Sequence, residues 1–300
     1  MGRVLNGSDT LLDKGFSPEH RRSAGSSDLT YRECQSPAGL TGVVECFWRR
    51  EPWRPVNHGL GVLPDGRIDL IWAEGDLLVI GPQTRPVRRP LPPDVVVIGV
   101  RFPPAVGPAL LGLSAHELRN THVPLEAIDA RPAASLRCDL AAIEDSAAAA
   151  PSIARAIAKR LDSRRSPDLA VRHAAALLED PNARVRHVAG ALGLSERQLQ
   201  RRFRAAVGYG PKTLQRVLRF QRLLSALKDE RDQPAGLAST AAATGYSDQA
   251  HLSREASEFS GQSPALLKLA LDALSDAGAS GIFKTGRPAT AGPGTPAPRQ

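Results

Sequence analysis

The sequence is poor in cysteine and in aromatic residues, and it has no long apolar run. Its three cysteines, Cys34, Cys46 and Cys138, lie far apart and form no Cys-x-x-Cys pair. This spacing argues against a disulfide framework or a zinc site and fits a reducing compartment. No apolar stretch approaches the ~20 residues that span a bilayer, and the N-terminus lacks the apolar segment of a signal peptide. We therefore expect a cytoplasmic protein without a membrane partner.

Patterns of catalysis and metal binding are missing as well. Only His58 lies among the predicted strands, whereas a metal-dependent barrel enzyme needs clustered His and Glu ligands. The sequence contains no GxGxxG, no P-loop and no GxSxG motif. We expect Asp65 to be a turn residue and Asp69 a strand-edge polar group, in preference to an acid–base pair. We expect Cys46 to lie in the core, in preference to acting as a nucleophile. We expect no catalytic residues, no metal and no cofactor.

Positive charge is abundant and unevenly distributed. The 300-residue chain, long enough for about two domains, has a formal net charge of +8 and a pI of about 9.9. Such a balance favours a polyanionic partner such as nucleic acid. The alternative is an ordinary basic composition without functional meaning. Between Arg184 and Arg222, however, a dense series of arginines is accompanied by a single acidic residue, Glu196.

Composition divides the chain into five segments. Residues 1–28 and 273–300 are rich in Gly, Ser, Pro or Ala and are predicted to be disordered. Residues 29–131 predict a β-rich domain that senses a ligand or dimerises, residues 132–166 a helical connector, and residues 167–272 an all-α domain. The predicted fold class is therefore α+β with two domains.

The predicted strands are short runs bounded by Gly, Pro or Asp: VVECFW, GVLPDGRIDLIW, DLLVIG and DVVVIGVRF. A stretch near residues 109–118 changes to helical spacing. All three tryptophans, Trp48, Trp53 and Trp72, lie in this half of the chain. Trp48 and Trp72 fit either a barrel core or the lining of an effector pocket.

Residues 195–207 predict a helix with two contrasting faces. At 100° per residue, one face is apolar and carries Leu199, Phe203, Ala206 and Val207. The opposite face is polar and carries Arg197, Gln200, Arg201 and Arg204. Ser195 and Gln198 form a capping-box pattern at the start, and Gly193 ends a preceding helical segment that begins near Val185. The pattern predicts helix, tight turn and second helix.

Arg and Gln on the outward face suit the edges of DNA bases. Arg can bond to O6 and N7 of guanine together, and Gln can bond to N6 and N7 of adenine. An α-helix also fits the major groove. The alternative is a solvated basic face on an ordinary helical bundle, but the spacing, the cap and the glycine turn agree in favouring a DNA-binding helix-turn-helix.

The same pattern recurs 52 residues later, where Gly245 corresponds to Gly193. An Ala-rich segment precedes Gly245, Asp248 stands at the cap, and Leu252 corresponds to Leu199. The outward positions of this second unit are Gln249, Ala250, Ser253 and Arg254. The segment PKTLQRVLRFQRLLSALKDE between the repeats predicts a long joining helix.

These residues resemble the C-terminal DNA-binding domain of the AraC/XylS family of bacterial transcription regulators. The resemblance is carried by VRHVAGALGLSERQLQRRFRAAVGYGPKTLQRVLRFQRLLSAL, AAATGYSDQAHLSRE and GQSPALL. It implies two recognition helices in successive major grooves. Arg197, Gln200 and Arg201 would contact one groove, whereas the other would meet Ala250, Ser253 and Arg254, with Gln249 and His251 close by. VLPDGRIDLIW, GPQTRPV and VVVIGVRFPP resemble the β-rich N-terminal domain of many such regulators, which in the wider family is a cupin-like barrel.

The sequence thus predicts a sequence-specific regulator that binds double-stranded DNA and catalyses no reaction. Candidate further partners are a small-molecule effector, a second copy of the chain and RNA polymerase. Two alternatives remain open: a small-molecule-binding or enzymatic β-barrel with an attached DNA-binding module, and a basic protein that binds nucleic acid without specificity. We also predict that the second unit is the weaker one, because Thr240 and Ala256 stand at core positions and Ser257 and Glu258 bring no positive charge.

Overall fold

The computed structural model describes residues 31–52, 62–86, 95–143, 149–161, 166–229 and 236–276. The predictions of disorder for residues 1–28 and for residues 277–300 concern segments outside these ranges, whereas residues 273–276, predicted as the start of the disordered tail, form the end of the last described helix. Trp53 and His58 also lie outside them. Within the described residues, an antiparallel sheet region is followed by a helical region, which confirms the α+β fold class.

Six short strands form a single antiparallel sheet in the order β1-β2-β5-β3-β4-β6. The strands are β1 (Tyr31–Gln35), β2 (Cys46–Arg50), β3 (Ile68–Ala73), β4 (Asp76–Ile80), β5 (Val97–Phe102) and β6 (His122–Pro124). All four predicted runs form strands. The two edge strands, β1 and β6, lack a β-branched run that would have indicated them. A cupin-like closure of this sheet stays a prediction.

Tight turns lie at both ends of β3, and the turn after it explains why β3 and β4 pair as neighbours. Between β3 and β4, Glu74 and Gly75 both have positive φ, at 49° and 87°, and a two-residue hairpin of this hand matches the twist of the strands. Before β3, the carboxylate of Asp65 accepts a hydrogen bond from the backbone N–H of Arg67 at 2.9 Å. Asp65 is therefore a turn residue, as predicted.

One face of the sheet packs against four helices. They are α1 (Gly107–Leu111), α2 (Leu125–Ile128), α3 (Ala130–Ala141) and α4 (Ala149–Leu161). Phe47 and Val100 of the sheet share a core with Leu136 of α3 and Ile153 of α4. The segment predicted as a connector thus covers the sheet with its apolar side. The helix expected near residues 109–118 is shorter, because Gly112 ends it in the left-handed conformation.

The other face of the sheet carries an aromatic and a charged pair. The indole of Trp48 lies over Gly99 of the adjacent strand, where any Cβ would collide with the ring. Arg101 donates two hydrogen bonds, each 3.1 Å long, to the carboxylate of Asp69. The prediction that Asp69 lies at a strand edge is wrong, because β3 lies between β5 and β4 and this cross-strand pair satisfies the charge inside the sheet.

Seven helices form the described part of the C-terminal region. They are α5 (Leu169–Leu177), α6 (Val185–Ala191), α7 (Glu196–Val207), α8 (Pro211–Asp229), α9 (Leu237–Thr244), α10 (Gln249–Ser260) and α11 (Pro264–Asp276). Phe203, Phe220 and Phe259 are among the largest side chains that are fully buried in their common core. In the described part of the chain, no helix has the length and apolar character needed to cross a membrane.

Candidate nucleic-acid interface

The first helix-turn-helix unit (residues 185–207) consists of α6, a glycine turn and α7. Gly193 has a φ of +66°, which favours glycine and ends α6 sharply. At the start of α7, the Ser195 hydroxyl accepts a hydrogen bond from the backbone N–H of Gln198, and the Gln198 side chain accepts one from the backbone N–H of Ser195. The capping box predicted from the sequence is therefore confirmed, and it fixes where α7 begins.

Helix α7 separates its apolar and basic faces as its sequence indicates. Leu199, Phe203 and Val207 are buried. The outward positions proposed from the sequence, Arg197, Gln200, Arg201 and Arg204, are all exposed. This arrangement presents a guanidinium-rich surface on a helix whose inner side is held by the core.

The basic residues near α7 and α8 divide into two groups. Arg197 and Arg201 form no hydrogen bond or ion pair with the described residues, so their guanidinium groups face solvent. The adjacent Arg202 instead donates two 2.7 Å hydrogen bonds to the carboxylate of Asp168, the N-cap residue of α5. Burial alone would raise the pKa of Asp168, but the bonds from Arg202 and from the Val171 backbone hold that pKa below its usual value.

The second unit (residues 237–260) consists of α9, a turn at Gly245 and α10. Gly245 has a φ of +85°, and the Asp248 carboxylate accepts a 2.7 Å hydrogen bond from the backbone N–H of His251 at the start of α10. Of the outward positions proposed for this unit, Gln249, Ala250 and Arg254 are exposed and Ser253 is half-buried. The structure therefore brings each set of proposed residues together on one helix.

Glu255 is a residue whose role the sequence analysis missed. It lies on α10 with only 3 % of its side chain exposed, and it accepts hydrogen bonds from Arg219 at 2.8 and 3.0 Å and from Arg216 at 2.9 Å. These two arginines of α8 are thereby engaged inside the protein. A signal was present in the sequence, since Glu255 stands three residues after Leu252 and four before Phe259, on the apolar stripe of the helix.

Aromatic rings surround this charge cluster. The guanidinium of Arg219 lies 4.9 Å from the ring centre of Tyr246, and that of Arg216 lies 5.1 Å from the ring centre of Phe259. Burial would raise the pKa of Glu255, but the hydrogen bonds from both arginines outweigh it and hold the pKa below its usual value. The cluster attaches α10 to the joining helix α8.

The N-terminal region contacts the first unit directly. The backbone N–H of Ala115 donates a 2.7 Å hydrogen bond to the carbonyl of Ala205, which satisfies one of the free carbonyls at the end of α7. Arg204 lies 2.6 Å from the imidazole of His116, measured from Nη2 to Nε2. The side chain of Gln221 on α8 donates a buried hydrogen bond to the carbonyl of Pro64.

Comparison with family models divides the chain in the same way. Residues 188–268 match the model of a helix-turn-helix domain, which spans both units and the joining helix. The chain carries a C-terminal helix-turn-helix domain of the AraC type. Residues 32–124 match a domain of unknown function, DUF6597, which covers the six-stranded sheet and precedes the AraC-type domain. A search of curated proteins finds no match.

Among solved structures, the chain is similar to ToxT from Vibrio cholerae. ToxT of strain O395 is 13 % identical, with 75 % of this chain and 96 % of that chain covered and a TM-score of 0.39. An apo ToxT variant from strain SCE256 is 11 % identical, with 83 % and 100 % covered and a TM-score of 0.40. Similarity at this level is too low to establish a shared fold, so the assignment of the AraC-type domain rests on the family model and on the geometry of the two units.

Other candidate residues of the sheet are part of its packing. Cys46 is buried in a cluster with Trp48 and Ile71, and burial raises the pKa of its thiol, so that a reactive thiolate is disfavoured. This confirms the expected core position of Cys46. Trp48 belongs to the same buried cluster, whereas Trp72 on the opposite face is half-buried beside the helices.

Proposed function

We propose that this chain is a sequence-specific transcription regulator that places α7 and α10 in successive major grooves of double-stranded DNA. The AraC-type domain supports DNA binding in general. The exposed basic face of α7, opposite a fully buried apolar face, is the observation that carries the more detailed proposal.

Arg197 and Arg201 are the principal base-contacting residues in this proposal. Both guanidinium groups are exposed, and neither is engaged by another described residue, so they can approach guanine without breaking an internal contact. Arg can bond to O6 and N7 of guanine together, and such a contact contributes about 1–3 kcal/mol of discrimination against a wrong base. Arg204, at the end of α7, is assigned to a phosphate oxygen.

The second unit makes the smaller contribution. Its outward face offers one exposed cation, Arg254, together with Gln249, Ser253 and Ala250, of which Ala250 has no hydrogen-bonding group. Arg216 and Arg219 add little there, because both pair with Glu255 inside the domain and Arg216 pairs with Glu258 as well. We therefore assign most of the affinity to the first unit and base contacts of the second unit mainly to Arg254.

The N-terminal region is proposed to regulate the first unit. Its sheet, together with α3 and α4, forms one core, so we place the domain boundary after α4 and not before residue 132. Leu63 and Ala105 of the N-terminal region are buried within the core of the helical domain, which also contains Leu199 of α7. A conformational change in the N-terminal region would therefore be transmitted to α7 through this core. A small-molecule effector, a second copy of the chain and RNA polymerase are the proposed partners of such a regulator.

The experiment that tests the proposal begins with selection of binding sites from a random duplex library. On the selected site, Arg201→Ala should reduce affinity by about 1–3 kcal/mol and relax the choice of base at one position. Arg202→Ala is the matched control. Arg202 is adjacent to Arg201, but its guanidinium is bound to Asp168, so its replacement should leave base choice unchanged. Equal binding of the wild-type protein to random and selected duplexes at fixed salt would favour a non-specific binder instead.

A further inference from the structure

The turn between α7 and α8 contains a glycine, Gly210, whose backbone conformation does not require glycine. Gly210 directly precedes Pro211, and its φ lies outside the left-handed region that favours glycine. Its carbonyl accepts hydrogen bonds from Thr213 and Leu214 at 3.0 and 3.1 Å, as the N-cap residue of a helix does. Serine is preferred at such a position and would be tolerated by this backbone.

The space beside Gly210 is occupied by the side chain of Gln200. A Cβ at position 210 would lie 2.7 Å from Cδ of Gln200 and still closer to both atoms of its amide. Gly210 is buried, whereas Gln200 itself is on the exposed face of α7. The Gln200 amide is therefore folded back over the turn, and it covers backbone that would otherwise face solvent.

The second unit has the opposite combination at the corresponding positions. Gly261-Gln262-Ser263-Pro264 corresponds to Gly208-Tyr209-Gly210-Pro211, so Ser263 stands where the first unit has Gly210. Ser253 on α10, ten residues before Ser263, stands where the first unit has Gln200. The Ser263 hydroxyl accepts a 3.4 Å hydrogen bond from the backbone N–H of Leu266. In the second unit, the short side chain of Ser253 thus accompanies Ser263 in the turn. In the first unit, the long side chain of Gln200 accompanies Gly210.

We propose that Gly210 determines the base specificity of α7 by holding Gln200 away from the groove. This inference rests on the proposed function and refines it. With glycine at position 210, the Gln200 amide packs on the turn and leaves Arg197 and Arg201 to contact the bases. This replaces the groove contact that the family resemblance implies for Gln200. A Cβ at position 210 removes that space and directs the amide outward, where it can bond to N6 and N7 of adenine.

A double-mutant cycle in the full-length protein tests the proposal. The variants are Gly210→Ala, Gln200→Ala and the double variant, with Gly210→Ser as a second form of the turn change. The base preference of each is measured by site selection and by titration of duplexes that differ at single positions, and thermal melting verifies folding.

Gln200→Ala alone should change base preference less than about twofold, because the amide is not in the groove. Gly210→Ala should create a new preference of at least about fivefold at one base pair, the lower end for a bidentate contact. The double variant should lose this preference. A shifted preference in Gln200→Ala alone would overturn the proposal, and so would an unchanged preference in folded Gly210→Ala and Gly210→Ser. If the wild-type protein selects no sequence at all, the proposed function fails instead.

Discussion

Glu255 on α10 is buried against Arg219 on the joining helix, with Oε2 and Nη2 2.8 Å apart. The two residues are 36 positions apart in the sequence, and their pairing attaches the second unit to the joining helix α8, which follows directly after the first unit. Arg216 contacts the same carboxylate. A buried carboxylate with two guanidinium partners is sensitive to the loss of either side, because an unpaired charge would be left in the interior.

We expect Glu255→Gln to reduce the free energy of unfolding by about 2–4 kcal/mol, because it leaves Arg219 without its counter-charge and Arg216 with Glu258 alone. Glu258→Gln is the matched control. Glu258 also contacts Arg216, but 53 % of its side chain is exposed, so its removal should cost less than about 1 kcal/mol. Urea denaturation of the two variants measures the difference, and equal losses would contradict the assigned role of Glu255.

The contribution of Glu255 should depend on pH in the acidic range. Its pKa in the folded protein is held below the ordinary value, so the unfolded chain binds a proton first as the pH falls. The stabilisation is therefore complete above about pH 5 and is lost as the pH falls from there through the folded-state pKa. The difference in unfolding free energy between wild type and Glu255→Gln should shrink over that range. A constant difference down to about pH 3 would show that ionisation of Glu255 does not carry the effect.

Amide hydrogen exchange should distinguish the two units. The N-terminal region caps α7 through Ala115 and contributes Leu63 and Ala105 to the core of the helical domain. The second unit has the small residues Thr240 and Ala256 at buried positions, as the sequence predicted. We expect residues 237–260 to exchange faster than residues 185–207 in the free protein. Equal protection would contradict the ranking of the second unit as the weaker one.

Replacing His116 should strengthen DNA binding. Arg204 contacts the His116 imidazole in the free protein, and binding to phosphate must replace this exposed contact, which is worth less than about 1 kcal/mol. His116→Ala should thus raise affinity by about two- to fivefold on selected and random duplexes alike. Ser114→Ala is the control, since Ser114 contacts the Ala205 carbonyl and not Arg204. A loss of affinity in His116→Ala would show that the imidazole supports Arg204 on DNA.

Local sequence determined much of the helical region. The capping residues Ser195 and Asp248, the glycine turns at Gly193 and Gly245, and the apolar stripe through Leu199 and Phe203 all act within one or two helical turns. Because such interactions depend on near neighbours, their spacing is visible in the sequence. The central strands were predictable for the same reason, since β-branched runs such as VVVIGV alternate with turn residues.

Tertiary structure decided what the charged residues do. Arg201 and Arg202 are adjacent and chemically identical, yet one faces solvent and the other binds Asp168, 34 residues earlier in the chain. Asp69 and Arg101 pair across neighbouring strands, and Gln200 finds its space beside Gly210 only because α7 and α8 meet at a turn. The sequence by itself determined which helices and strands form and which face of α7 is basic. Only the fold determined which guanidinium groups remain free for DNA, because ion pairs depend on distances between residues that are remote along the chain.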